Sequence, residues 1–270
     1  MPNLLLSFIA FIAYAVLAVY FWRAQERGQC DALSRGLAGH SMLIPLSLHG
    51  YLLVQNVFSN GGFDLNIFNA ISLIVWLTLM VYWAARYFYS LGGLQALVLP
   101  VAAVSMLLPG VFPSDHQLVH TEMLAFRVHI AVAMMAYSLF TIAMLHAVLI
   151  SLVEKRLHQA NLPRLLCNLP PLLTMEMLLF RMIAIGFMLL SLTLVSGIFF
   201  SEEIFGKVWQ LNHKVVFGLL SWCVFAMLLW GHRYYGWRGR IAIRWTVSGF
   251  VFLLLAYLGS KFVLEVMLHR

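Results

Sequence analysis

The chain has 270 residues, 63% of them hydrophobic and only 10% charged, with a formal net charge of +7. Soluble domains carry roughly a quarter charged residues, so this composition excludes a soluble globular protein and describes a chain embedded in lipid. The basic excess does not imply nucleic acid, because polytopic membrane proteins collect Lys and Arg in their cytoplasmic loops.

A spanning helix needs about 20 apolar residues. Eight stretches qualify: 4–22, 37–57, 66–84, 91–108, 123–153, 177–200, 213–231 and 241–264. Backbone groups in lipid must bond within their own segment, so the expected fold is all-α and polytopic, with about eight transmembrane helices and no strands. The whole length, 1–270, reads as a single transmembrane domain. The first stretch has no basic segment ahead of it and no small-x-small cleavage site before Arg23, which makes it a retained helix rather than a signal peptide. The fourth is the shortest and carries Pro100, so whether it fully spans stays open. The fifth is long, since about 30 helical residues reach about 45 Å against a hydrocarbon core of about 30 Å. It should project beyond the membrane near Glu154–Leu157. Cys30, Cys167 and Cys223 have no CxxC spacing, and Cys223, inside an apolar run, reads as a small buried thiol.

Orientation follows from the basic residues. With the N-terminus outside, the cytoplasmic loops hold Arg23, Arg27, Arg35, Arg86, Lys155, Arg156, Arg164, Arg181, Arg233, Arg238, Arg240 and Arg244, which is 12 of the 17. Both termini are therefore expected on the outer side of the membrane.

Ten histidines in so apolar a chain need an account. Ionisable groups within spans are costly and usually face an interior or cavity, and histidine is also the commonest axial ligand of haem iron. His129 falls at the outer end of the fifth span and His269 just past the eighth. His49 falls within the second span, and His232 ends the seventh near the cytoplasm. His40 and His146 are alternatives to His49. His116 and His120 stand at i, i+4 spacing, but no HExxH motif or third ligand accompanies them. No Ser/His/Asp triad, phosphate loop or paired-carboxylate site is apparent. Glu122, Glu176 and Glu265 read as solvated or ion-paired groups at helix ends.

Between the sixth and seventh spans runs F-G-K-V-W-Q-L-N-H-K-V-V-F-G-L-L-S-W, Phe205–Trp222, a short polar loop entering an apolar helix. It resembles the tryptophan-rich haem-handling loop of the cytochrome c assembly family, W-G-x-x-W-x-W-D-P-K-E-T-W-x-x-x-x-W. Gly206, Trp209, Lys214 and Trp222 match, while Phe205 and Phe217 keep aromatic rings at two tryptophan positions. Leu211, Asn212, His213 and Val215 depart from it. Other stretches resemble the same family in the same order: Gly186, Phe187, Ser196 and Gly197; His129 with Tyr137; His232, Arg233, Gly236, Trp237, Arg238 and Gly239; and Tyr257, Gly259, Leu268 and His269. The chain thus resembles the cytochrome c assembly family of the CcsA type, and within it the HemX/YpjD-like inner-membrane branch, most strongly over 122–269.

The resemblance implies haem as cofactor. His129 and His269 would be axial ligands at an outer site, and His49 and His232 at an inner one. Trp209, Trp222, Phe205 and Phe217 would offer flat apolar faces to the porphyrin, with Lys214, Lys207 or Arg127 near its propionates. The partners implied are haem, the lipid bilayer, and an apocytochrome or another membrane protein. Loss of Trp at 211 and of Asp-Pro at 212–213 points away from the family's synthase reaction and towards binding, presenting or sensing haem. The alternative is a non-catalytic accessory subunit that keeps the fold without haem. A transporter fits less well, since intramembrane acidic residues for ion coupling are missing.

Overall fold

The computed structural model describes residues 2–27, 37–58, 64–89, 91, 93–112, 123–158, 170–205 and 213–259. Trp209, His269, Lys207, His116 and His120 lie outside the described residues, as does the side chain of Phe205. Among the described residues the fold is all-helical, with no strand. The helices are α1 (Pro2–Glu26), α2 (Leu37–His40), α3 (Leu43–Val57), α4 (Ile67–Ala85), α5 (Gln95–Val111), α6 (Leu124–His158), α7 (Leu172–Phe205), α8 (His213–Tyr235) and α9 (Arg240–Leu254). A π-helical turn, Leu255–Gly259, continues α9.

Each expected span has a helix. Six are long and apolar enough to cross a membrane, within α1, α4, α6, α7, α8 and α9 with its π turn. The 15 residues of α3 and the 17 of α5 fall short of the length for a straight crossing. The long fifth helix is present, with 35 residues in α6. The sixth expected span is extended at both ends. In particular, Glu202, Glu203 and Phe205, read from sequence as the start of a polar loop, belong to α7. No glycine or proline interrupts that stretch before Gly206, so nothing stops the helix. Leu5, Val16, Ile44, Met188, Phe199 and many other large apolar side chains face outwards. In water so much exposed apolar surface would aggregate, whereas lipid accepts it. Cys223 also lies on the outside rather than buried. In a membrane, lipid supplies the apolar surroundings of this thiol.

The chain divides into two compact units, Met1–Gln117 with Val148–Met175, and Leu118–Ala147 with Glu176–Arg270. In the first, α1 packs on α3 and α5, and α4 packs on α3 and α5. Ala10, Leu52 and Met106 form its apolar centre, with Leu6 and Leu48 against them. Gly50 lets the Trp76 indole come close to α3, where its Nε1 donates to the Leu46 carbonyl at 2.9 Å. At the start of α4, the Asn66 side chain caps the helix by accepting from the Asn69 N–H at 2.8 Å.

The second unit has an aromatic column at its centre. Phe140 of α6 stacks on Phe225 of α8 with centroids 4.0 Å apart. Gly186 of α7 lies against the Phe140 ring and Gly249 of α9 against the Phe225 ring, where a Cβ at either position would press on the ring. Two glycines therefore admit two rings, and the four helices close around them; small residues have this role at membrane helix interfaces. Ser221 of α8 adds a hydrogen bond to the Gly249 carbonyl at 2.9 Å.

Candidate functional site

His232 is held by the turn that follows it. Beyond α8, Gly236 adopts φ 65°, which reverses the chain at little steric cost. The Trp237 N–H then donates to the Gly231 carbonyl at 3.2 Å. The Trp237 indole lies where a Cβ at Gly231 would be, so that position has no room for a side chain. The carbonyl of Trp237 lies 3.0 Å from His232 Nδ1. A carbonyl can only accept, so Nδ1 carries the proton and the ring's lone pair is on Nε2. Metal-ligating histidines commonly donate their other N–H to a carbonyl or carboxylate in this way. Phe180 of α7 stacks on the imidazole, centroids 3.5 Å apart and 13° from parallel. Gly239, at φ 54°, ends the turn and starts α9, and its N–H donates to Glu176 Oε1 at 2.8 Å. The pattern His232-x-x-x-Gly236-Trp237-Arg238-Gly239 thus encodes a turn that fixes one imidazole.

His129, half-buried near the start of α6, has its Nδ1 2.7 Å from Ser196 Oγ on α7. The Leu192 and Thr193 carbonyls, 2.7 and 3.2 Å from Ser196 Oγ, can take the hydroxyl proton, and Oγ then accepts the Nδ1–H. This tautomer again leaves the lone pair on Nε2. Phe126 stacks beside the ring, and a Cβ at Gly197 would lie 3.6 Å from its Cε1. Phe180 and Ser196 stand 16 residues apart on α7, which at 1.5 Å per residue separates them by about 24 Å. The two histidines therefore occupy opposite ends of one unit and cannot share an iron.

His49 differs. It is fully buried in the first unit, with Nε2 2.8 Å from Ser72 Oγ and Nδ1 3.4 Å from the Tyr14 hydroxyl. Both ring nitrogens are engaged, so ligation of a metal here requires release of a hydrogen bond. Of its two alternatives, His40 bonds to Tyr87 and Arg86, and His146 is buried on α6. Among the described residues no group of three or more His, Cys, Asp or Glu is gathered for a metal ion.

The described aromatic residues of the 205–222 stretch contribute to packing. Trp222 donates its Nε1–H to Ser191 Oγ at 2.8 Å and stacks on Phe187 with centroids 5.3 Å apart. Phe217 stacks on Phe252 of α9. Lys214 is exposed in the first turn of α8.

Residues 37–268 match the family model for cytochrome c assembly protein. The chain belongs to the cytochrome c assembly family. It is 32% identical over 234 residues to the inner membrane protein YpjD of Escherichia coli, covering 85% of this chain and 87% of that one. It is 25% identical over 256 residues to protein HemX of Brevibacillus brevis, covering 91% of each. Cytochrome c biogenesis protein CcsA of Prochlorococcus marinus matches over 89 residues at 34% identity, covering 33% of this chain and 28% of that one. No solved structure matches significantly. This cytochrome c assembly protein is a multi-pass protein of the bacterial inner membrane.

Sequence reasoning missed Phe180, Tyr14 and Ser72 as partners of the site histidines, and Glu176 as the acceptor for Gly239 in the turn after His232. Only Ser196 carried a signal, through its place in the family-like Gly186–Gly197 stretch.

Proposed function

We propose that this protein handles haem in the inner membrane, binding it and presenting or sensing it at an outer-face aromatic loop. The observation that carries this reading is the shared state of His129 and His232. At opposite ends of one helical unit, each has its Nδ1–H held by a protein acceptor and its lone pair on Nε2. Imidazoles so arranged fit an iron porphyrin, because haem supplies an iron that accepts nitrogen lone pairs at its axial positions.

In this reading both termini are outside, α7 runs from the cytoplasmic face to the periplasmic one, and the chain is one transmembrane domain. Arg181, Arg233, Arg238, Arg240 and Arg244 are exposed around the His232 end, as expected for a cytoplasmic face. Exposed Trp230, Tyr234 and Tyr235 at the end of α8 suit the interfacial belt there. His129, with His269, would hold haem at the outer site, where Trp209, Phe205, Phe217 and Trp222 border the porphyrin and Lys214 meets a propionate. His232 would receive haem at the inner site. The recipient of outer-face haem would be an apocytochrome or another membrane protein.

The hydrogen bonds that occupy His49 favour a second reading, an accessory subunit that keeps the fold without haem. Protein purified in mild detergent from haem-replete cells separates the two readings when its haem is extracted and quantified. Haem handling predicts a substantial fraction of chains carrying haem. The accessory reading predicts none above a control membrane protein.

A further inference from the structure

Glu176 and Phe180 stand one helical turn apart on α7, so they project from the same face. The two side chains reach two consecutive parts of the same turn. Glu176 is 9% exposed, and its Oε1 accepts the Gly239 N–H at 2.8 Å. Gly239 has no side chain that could cap α9, so the carboxylate from α7 takes that place at the positive end of the helix dipole. Gly239 is two residues past Trp237, whose carbonyl fixes His232 Nδ1. Phe180 covers one face of the same imidazole. Together they hold the ring from two directions: Glu176 holds the turn that supplies the acceptor, and Phe180 restrains rotation about the Cβ–Cγ bond.

We propose that Glu176 and Phe180 are positioning residues that lock His232 in its Nδ1–H tautomer with Nε2 available as a ligand. The role of that ligand rests on the haem-handling reading, whereas the locking is a property of the haem-free chain. Without the carboxylate the Gly236–Gly239 turn loses its tie to α7, and the Trp237 carbonyl is free to leave His232. The imidazole then exchanges between tautomers. Without the Phe180 ring the carbonyl contact remains, but the plane of the imidazole is no longer set.

The test uses full-length protein in detergent micelles with 15N-labelled histidine. The His232 signals are assigned by difference from His232→Gln. The proposal expects an Nδ1-protonated ring in the wild type and tautomer averaging in Glu176→Ala. Glu176→Gln, which keeps a carbonyl acceptor for Gly239, should retain the wild-type pattern. Haem titration should then show affinity falling by about tenfold or more in Glu176→Ala, as for other outer-shell partners of metal ligands, with recovery in Glu176→Gln. Phe180→Leu leaves the cap intact. It supplies the test if Glu176→Ala does not fold, and should weaken haem binding while leaving Nδ1 protonated. An unchanged tautomer and unchanged affinity in either folded Glu176→Ala or Phe180→Leu, with the wild type taking haem through His232, would overturn the positioning role and leave the haem reading intact. Loss of the tautomer in Glu176→Ala, in a protein whose wild type takes no haem, would support the locking and overturn the haem reading alone.

Discussion

Ser196 and His129, 67 positions apart in the chain, meet side chain to side chain with Oγ 2.7 Å from Nδ1. With its proton on the Leu192 carbonyl, 2.7 Å away, the serine oxygen accepts the Nδ1–H. Ser196→Ala removes that acceptor and leaves the Nδ1–H to find another. Haem affinity at the outer site should fall by about tenfold, the lower end for loss of an outer-shell partner of a ligating histidine. Ser196→Thr keeps the oxygen and should restore most of it. Haem titration of the three proteins checks this, and equal affinities in all three would remove Ser196 from the site.

A Cβ at Gly231 would overlap the Trp237 indole, so Gly231→Ala should destabilise the turn by about 1–3 kcal/mol, the usual range for overpacking. Trp237→Leu combined with it should recover part of that loss, because the two positions share one contact. Thermal unfolding in detergent, followed by size-exclusion chromatography, measures both variants. Simple addition of the two penalties would contradict the packing described here.

How much of this was legible in the sequence differs by level. The helices follow from apolar runs long enough for a bilayer, and all eight expected spans have one. Helix ends were harder to read. Glu202 and Glu203 look like loop residues, yet without a breaker before Gly206 the backbone continues as helix. The histidines stand out because they are rare in lipid, but their partners depend on tertiary register. Nothing local to Glu176 shows that the start of α9 reaches it, so from sequence it reads as a solvated or ion-paired carboxylate, whereas it accepts the Gly239 N–H. The engagement of both His49 nitrogens was likewise invisible, because Tyr14 and Ser72 lie on other helices.

His49→Ala should leave two buried hydroxyls, Tyr14 and Ser72, without their shared partner. Each unpaired buried group costs about 1–3 kcal/mol, so haem-free protein should lose several degrees of thermal stability. His49→Gln, which retains one donor and one acceptor, should lose less. A thermal melt of haem-free protein unchanged by His49→Ala would contradict the interhelical role.

Orientation is tested by single cysteines introduced at positions 115, 160, 206 and 235 after replacement of Cys30, Cys167 and Cys223. Membrane-impermeant maleimide applied to intact spheroplasts should label 115 and 206 and leave 160 and 235 unlabelled. Labelling at 160 or 235 with protection at 206 would invert α6–α9 and place the 205–222 stretch in the cytoplasm.

The central claim is that the histidines at the two ends of the second unit each ligate haem iron. Its most direct measurement is the optical spectrum of purified wild type, His129→Ala, His232→Ala and the control His158→Ala, each loaded with haem. The wild type and His158→Ala should show the same Soret band and coordination state. His129→Ala and His232→Ala should each lose part of the haem or shift part of it from six- to five-coordinate. Wild-type spectra and haem content in both variants would contradict the account.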